Sequence, residues 1–204
     1  MPPGGDPMRH ASAGNWSDAV APVWSEPDFS SVVAAARAGQ GWAFERLYRW
    51  FAPEVTSFAV ARNADDPEGV ANEVFLRAFR YLDRFSGGSG AFRSWIFTIA
   101  RNQLIDAHRA KARRPQLADA TLPDGRVEAA ETLALQSLGA QRVDRLLATL
   151  SDDQRDVILL RVVADLSLEQ VATVVDKPVT AVKALQRRGL RRLQSQVLAE
   201  VLTP

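Results

Sequence analysis

Basic side chains are concentrated near the carboxyl end of the chain. Residues 177–192 carry six basic residues and no acidic one: Lys177, Lys183, Arg187, Arg188, Arg191 and Arg192. On a helix, Lys183, Arg187 and Arg191 lie about one turn apart on the same face. From such a face, lysine and arginine reach phosphates or guanine edges. The pattern favours a helix that binds nucleic acid, with a solvated basic face on an ordinary helical bundle as the alternative.

The residue inventory excludes most enzymatic chemistry. The chain has no cysteine and only two histidines, His10 and His108, which are far apart in sequence. A disulfide scaffold, a zinc–cysteine site and a thiol nucleophile are therefore excluded. Two histidines so far apart in sequence favour neither a histidine metal site nor a Ser-His-Asp triad. We expect no enzyme activity, no catalytic residue, no metal and no cofactor.

Charge is distributed in blocks, although the net charge of the 204 residues is only +1. Residues 1–30 and 115–140 are acidic, whereas residues 31–114 and 141–204 are basic. Two basic blocks joined by an acidic segment suggest a polyanion that is contacted at two places.

No apolar run approaches the roughly 18 residues of a membrane span. The amino terminus has no secretion-signal pattern, so we expect a cytoplasmic protein.

Helical periodicity dominates the chain after a first segment without any period. Residues 1–28, rich in Pro, Gly, Ser and Asp, predict a flexible tail. Ser30 or Ser31 is the predicted cap of a helix over 32–38. A second helix is predicted over 42–62.

The third predicted helix has the strongest start signal. Asp66, Pro67 and Glu68 supply an acidic cap, a proline at the first helical position and an acid at the positive dipole end. This helix should run to about Arg84. The stretch Ser-Gly-Gly-Ser-Gly over 86–90 predicts irregular structure.

A long helix is predicted next, and a linker then separates it from a second helical unit. The long helix covers 91–113, and residues 115–140 read as a linker that is partly helical near 128–138. Helical spacing restarts at 143–150. Two capping boxes follow, Ser151 with Gln154 and Ser167 with Gln170. A short helix over 168–175, a turn over 176–178 and a basic helix over 179–201 have the form of a helix-turn-helix.

The sequence therefore predicts an all-α protein with two small helical domains. The predicted organisation is a tail over 1–28, a first domain over 29–114, an acidic linker over 115–140 and a helix-turn-helix domain over 141–204.

Two sets of motifs resemble a known family. LSDDQRDVILLR (150–161), LSLEQVA (166–172) and PVTAVK (178–183) resemble region 4 of bacterial sigma factors. DPEGVANEVFLRAF (66–79) resembles region 2.2, and FRSWIFTIARNQLID (92–106) resembles regions 2.3 and 2.4. The order and spacing, with no region 3 between them, resemble the extracytoplasmic-function (ECF) group of the sigma-70 family.

The resemblance implies a subunit that binds core RNA polymerase and directs promoter-specific initiation. Family members use the outer side of the region 2.2 helix to grip the clamp helices of the polymerase β′ subunit, and region 4 lies at the β flap. The residues implied in the polymerase contact are Asp66, Glu68, Asn72, Glu73, Leu76, Arg77 and Arg80. Gly69 and Asn72 depart from the usual acid and glutamine of the family.

The resemblance also implies two contacts with promoter DNA. The loop over 85–91 captures a flipped base of the minus-ten element, and the helix after it reads the melted strand. The implied residues are Phe85, Ser86, Gly87, Arg93, Arg101, Asn102 and Arg109. Trp95 lies on the apolar stripe, which favours a core role over a stacking platform. The minus-thirty-five element is implied to contact Thr180, Ala181, Lys183, Ala184, Arg187 and Arg188.

The predicted linker limits what the free protein can do. Its extended length is at most roughly 90 Å, and its relaxed span is about 30 Å. Two duplex sites two helical turns apart are separated by roughly 70 Å. The free chain should therefore bind both elements together poorly, and core polymerase should hold the linker stretched. A family resemblance also implies an anti-sigma partner.

Two other functions remain open from the sequence. A stand-alone helix-turn-helix regulator would bind duplex DNA as a dimer without polymerase. A sigma-like decoy would hold core polymerase without melting DNA.

Overall fold

The computed structural model describes residues 25–113 and 130–202, and within them every regular element is helical. A short 3₁₀ helix, Leu82–Arg84, separates the third and fourth α-helices. The α-helices are α1 (Glu26–Arg37), α2 (Gly41–Ala61), α3 (Pro67–Arg80), α4 (Ser89–Arg113), α5 (Ala130–Ala148), α6 (Asp152–Val162), α7 (Leu168–Val175) and α8 (Val179–Leu202). The all-α prediction with two small helical domains is confirmed.

Helices α1–α4 form an N-terminal unit around a core of phenylalanines. Phe29, Phe51 and Phe92 are buried, and their ring centroids lie 5.2–6.3 Å apart. Phe58 of α2 meets Phe97 of α4 edge-on at 5.5 Å. These rings come from three helices, so the apolar stripes of α1, α2 and α4 converge on one centre.

The first helix begins earlier than predicted. Ser25, not Ser30 or Ser31, is its N-cap, and Asp28 completes a capping box with Ser25. The hydroxyls of Ser30 and Ser31 instead donate to the carbonyl oxygens of Glu26 and Pro27 inside the helix. Helix α1 therefore starts within the segment predicted as a tail; residues 1–24 lie outside the described part.

The segment between α3 and α4 also differs from the prediction. Helix α3 ends at Arg80 rather than near Arg84, and α4 begins at Ser89, inside the stretch predicted to be irregular. Arg37 of α1 donates to the carbonyl oxygens of Leu82 and Phe85. These two carbonyl groups therefore find a hydrogen-bond partner on another helix and not in a continuation of α3. Glu26 accepts from the backbone N–H of Ser89 at 3.2 Å and caps α4 from a different helix.

Helices α5–α8 form a C-terminal unit. Helix α5 starts at Ala130, so it occupies part of the predicted linker, while residues 114–129 lie outside the described part. Both predicted capping boxes are present, at Ser151 with Gln154 and at Ser167 with Gln170. Asp176 ends α7 in the left-handed conformation, with φ of 53°, which turns the chain sharply into α8.

The two units are packed against each other. Helix α7 lies against α4, and α6 lies against the end of α2. The sequence did not predict this contact.

Candidate functional site

The outer face of α3 is exposed along the residues implied in polymerase binding. Val74, Phe75 and Ala78 face the core. Leu76 is 62% exposed, so α3 presents one apolar side chain within a polar face. The remaining residues of that set, Asp66, Glu68, Asn72, Glu73, Arg77 and Arg80, are exposed or half-buried.

Local contacts order this face. Asp66 Oδ1 accepts from the backbone N–H of Gly69 at 2.8 Å and caps α3. A Cβ at position 69 would collide with the Asp66 carboxylate, so the absence of a side chain at Gly69 leaves space for the capping carboxylate. Tyr48 donates its hydroxyl to Asn72 Oδ1 at 2.7 Å, and Arg77 pairs with Glu73 at 3.0 Å. The family departures at positions 69 and 72 therefore fit this chain's own geometry.

A cavity lies where the loop after α3 meets α4. Its volume is about 470 Å³, and it is lined by Tyr81, Arg84, Phe85, Ser86, Ala91 and Trp95. The Phe85 and Trp95 rings stack at 5.3 Å with an interplanar angle of 14°. The Arg84 guanidinium lies 5.6 Å from the Tyr81 ring. Flat aromatic walls with an adjacent cation suit a planar group such as a nucleobase.

Trp95 has two environments at once. Its ring meets the buried Phe92 edge-on at 5.8 Å, and it also lines the cavity. The core role favoured by the sequence is therefore only part of its position. Tyr81 and Arg84, which the sequence did not single out, also line this cavity. An aromatic residue and an arginine directly before a glycine-rich loop are the sequence signal that points to them.

The residues of α4 that the resemblance implies in DNA binding differ in their exposure to solvent. Asn102 and Arg109 are exposed, and Arg109 lies 3.9 Å from Asp106. Arg93 instead pairs with Glu54 at 3.3 Å and donates to the Ala164 carbonyl oxygen at 3.3 Å. Arg101 donates to Asp156 at 2.7 Å. The structure therefore places Arg93 and Arg101 against the C-terminal unit rather than towards solvent.

Helix α8 has one buried and one exposed face. Val182 and Gly189 are buried, and a Cβ on Gly189 would lie 2.6 Å from Ile158 Cδ1, so α8 packs closely on α6. Thr180, Lys183, Arg187 and Arg188 are exposed, while Ala181 and Ala184 are half-buried beside them. The exposed set forms a basic face of the kind that fits a major groove.

Comparison with known proteins identifies the family. Sigma-70 region 2 matches residues 45–114, and Sigma-70, region 4 matches residues 140–193. The ECF RNA polymerase sigma factor SigD of Mycobacterium tuberculosis is 33% identical over 180 residues, covering 83% of this chain and 84% of SigD. The chain is an ECF sigma factor.

Further relatives agree with this family. The ECF RNA polymerase sigma-E factor of Escherichia coli is 30% identical, covering 81% of this chain and 92% of that protein. The sigma factor RpoE of Bartonella quintana, solved in complex with the anti-sigma factor NepR, is 26% identical with a TM-score of 0.59. It covers 76% of this chain and 96% of that one. The stand-alone regulator is not favoured.

Membership of the family sets the function at the level of the whole protein. This ECF sigma factor binds core RNA polymerase and promoter DNA and directs transcription initiation to particular promoters. Among the helices of residues 25–113 and 130–202, none is long and apolar enough to cross a membrane.

Proposed function

We propose that this ECF sigma factor captures a base of the minus-ten element in the cavity beside α4. The loop beside this cavity contains Phe85, Ser86 and Gly87. Asn102 reads the melted strand from the exposed side of α4. Arg93, Arg101 and Arg109 hold the phosphates of that strand. The stacked Phe85 and Trp95 rings, which wall an open cavity next to a helix with exposed amide and arginine side chains, carry the proposal. Unstacking a base costs only a few kcal/mol, which aromatic stacking offsets.

The second promoter contact in this proposal is the exposed face of α8. Thr180, Lys183, Arg187 and Arg188 enter the major groove of the minus-thirty-five element, and Ala181 and Ala184 allow close approach. Val182 and Gly189 hold the opposite face against α6 and α7, so the exposed side chains are presented on a rigid helix.

Footprinting of the holoenzyme separates the two contacts. We expect Asn102→Ala to reduce permanganate reactivity of unpaired thymines at the minus-ten element while leaving upstream protection in place. We expect Arg187→Ala to reduce upstream protection first. Thr173→Ala, at an exposed position of α7, is the control. Equal loss of both signals in both variants would contradict the assignment.

The outer face of α3 is the proposed grip on the β′ clamp helices, and the C-terminal unit is proposed to meet the β flap. An apolar side chain at Leu76 surrounded by Asn72, Glu73, Arg77 and Arg80 suits a contact with a coiled coil, because it combines an apolar anchor with a polar rim.

The acidic segment predicted as a linker, whose last part forms the start of α5, is proposed to lie in the basic RNA path of the polymerase. Residues 115–140 carry Asp119, Asp124, Glu128 and Glu131 against a single basic residue, Arg126. Deletion of residues 119–131 should change initiation or core affinity; no change in either would contradict this part of the proposal.

An anti-sigma protein is the proposed regulator. The solved RpoE relative is complexed with the anti-sigma factor NepR, and a protein of that class would cover faces of both units. We further propose that the sigma factor is non-catalytic, needs no cofactor and acts in the cytoplasm, where polymerase and promoter are found.

A further inference from the structure

Helix α1 holds both ends of the loop beside the cavity. At the C-terminal end of α1, Arg37 donates from Nε to the Leu82 carbonyl oxygen at 3.3 Å and from a terminal nitrogen to the Phe85 carbonyl oxygen. At its N-terminal end, Glu26 Oε2 accepts from the backbone N–H of Ser89 at 3.2 Å. Glu26 Oε1 accepts from the Ser89 hydroxyl. One helix therefore fixes the chain on both sides of this loop.

Helix α1 is itself anchored in the core of the N-terminal unit. Phe29 is fully buried, and its ring centroid lies 6.3 Å from that of Phe51 and 5.5 Å from that of Phe92. Val32 and Ala36 of the same helix are buried as well. Because the helix is packed in this way, its two polar ends are held at a fixed separation of about 17 Å.

The Arg37 contacts bear on the aromatic wall of the cavity. Phe85 follows the 3₁₀ helix and has an extended backbone, with φ of −72° and ψ of 138°. Its ring stacks on Trp95 at 5.3 Å, and its carbonyl oxygen accepts from Arg37. Hydrogen bonds from a guanidinium are stronger than those between neutral groups. Arg37 therefore holds the backbone that carries the Phe85 ring.

The Glu26 contacts fix the other side of the loop. Ser89 begins α4 and is 8% exposed, and an N–H at a helix start has no partner within the helix. Without Glu26 this buried donor would lose its partner, which is costly. A Cβ on Gly88 would lie 3.0 Å from Glu26 Oε2, so the carboxylate packs closely on the chain. Ala91 and Trp95, which follow on α4, line the cavity.

We propose that Glu26 and Arg37 are positioning residues for the minus-ten base, because α1 holds the loop in the conformation that admits the base. This inference rests on the proposed capture of a base in that cavity. The residues that line the cavity do not include Glu26 or Arg37, so both act through the backbone that they bind. A loop that is already ordered costs less conformational entropy when the base enters.

Binding of single-stranded promoter DNA by the holoenzyme tests this role. The probes are labelled single strands of the minus-ten element from a promoter found by run-off transcription. A matching set of strands carries one abasic site at each position in turn. In the unmodified holoenzyme, the abasic site that costs the most affinity marks the captured base. The capture ratio is the affinity for the complete strand divided by the affinity for that abasic strand.

We expect Arg37→Ala and Glu26→Ala each to lower the capture ratio by roughly 2- to 12-fold, the range for the loss of a hydrogen bond. Affinity for the abasic strand should not change, because phosphate contacts do not depend on the loop. A merely structural role of α1 would weaken binding of both strands by the same factor. Arg37→Lys keeps the charge but not the fork of donors, so it should restore only part of the ratio.

Arg49→Ala and Glu45→Ala are the matched controls. These two exposed side chains of α2 pair with each other at 2.5 Å, and both variants should keep the unmodified capture ratio. Urea unfolding of every variant sets a temperature at which all are folded. If Glu26→Ala fails to fold, Arg37→Ala decides the test, because Arg37 is an exposed residue at the other end of α1.

Phe85→Ala separates this proposal from the one on which it rests. A capture ratio that falls in Phe85→Ala but in neither α1 variant would overturn the positioning role and leave base capture intact. An equal fall in the control variants would overturn the positioning role as well. An unchanged ratio in Phe85→Ala, or no abasic site that costs affinity in the unmodified holoenzyme, would contradict base capture in this cavity itself.

Discussion

Replacement of Phe85 by alanine tests whether the cavity beside α4 binds a promoter base. The Phe85 ring stacks on Trp95 at 5.3 Å and meets Phe92 edge-on at 5.3 Å. Each aromatic pair contributes about 0.5–1.5 kcal/mol. Loss of the two ring pairs should therefore lower the free energy of unfolding by about 1–3 kcal/mol, in addition to the loss of the apolar contacts that the half-buried ring makes.

The effect of Phe85→Ala on open-complex formation is estimated separately from its effect on stability. A base stacked on an aromatic side chain contributes about 1–3 kcal/mol, which corresponds to roughly a 5- to 150-fold change in an equilibrium. We expect the Phe85→Ala holoenzyme to form heparin-resistant open complexes less well by a factor in that range. The assay uses saturating core polymerase and a promoter found by run-off transcription, so that weaker core binding does not contribute.

Phe44→Ala is the matched control for this experiment. Phe44 is half-buried and meets Phe79 edge-on at 4.8 Å, and neither ring lines the cavity. This variant should lose stability yet form open complexes normally at a temperature where it is folded. The reasoning is refuted if Phe85→Ala lowers stability as expected but leaves open-complex formation unchanged, or if both variants impair it equally.

Four further predictions concern a helix cap, a half-buried acid and the two outer faces. Ser167→Ala should destabilise the protein by about 1 kcal/mol in urea unfolding, because the Ser167 hydroxyl accepts the Gln170 N–H at 3.2 Å. Burial raises the pKa of the Glu54 carboxyl above its ordinary 4.5, so the native state holds that proton more tightly than the unfolded chain. Its contribution to stability therefore falls as pH rises from 4.5 through the raised pKa, and Glu54→Gln should remove this slope from a melting-temperature series. Leu76→Ala should weaken core-polymerase binding in a pull-down titration while changing stability by no more than about 0.5 kcal/mol. Arg187→Ala should lower the slope of log affinity against log salt for promoter binding by about 1.

Each of these predictions has a contradicting result. An unchanged free energy of unfolding in Ser167→Ala would show that the Ser167 cap does not stabilise α7. An unchanged dependence of the melting temperature on pH in Glu54→Gln would show that the Glu54 charge is solvated in the native state. Full core binding by Leu76→Ala would move the polymerase contact away from the outer face of α3. An unchanged salt slope for Arg187→Ala would mean that this side chain contacts no phosphate.

Local signals in the sequence predicted those parts of the fold that depend on neighbouring residues. The start of α3 at Asp66 and Pro67 follows from capping and dipole chemistry within one turn. The capping boxes at Ser151 and Ser167 are likewise local. These elements were predicted correctly because the partners that stabilise them are no more than three residues apart.

Contacts between distant residues explain what the sequence did not predict. Helix α4 begins at Ser89 because Glu26, 63 residues earlier, caps it. Asp156 appeared in the sequence only as one of several acids on a capped helix, and its burial between Arg62 and Arg101 depends on how the two units pack. The exposure of most residues proposed as contacts on α3 and α8 was predictable, because helical spacing places them opposite the apolar stripe of each helix.

Run-off transcription tests the central claim most directly. The purified protein is mixed with sigma-free core polymerase from the source bacterium and fragmented genomic DNA, and binding of the protein alone to duplex DNA is measured in parallel. We predict discrete transcripts that require both components, with start sites that reveal two promoter elements upstream. Absence of transcripts, together with tight duplex binding by the protein alone, would contradict the account.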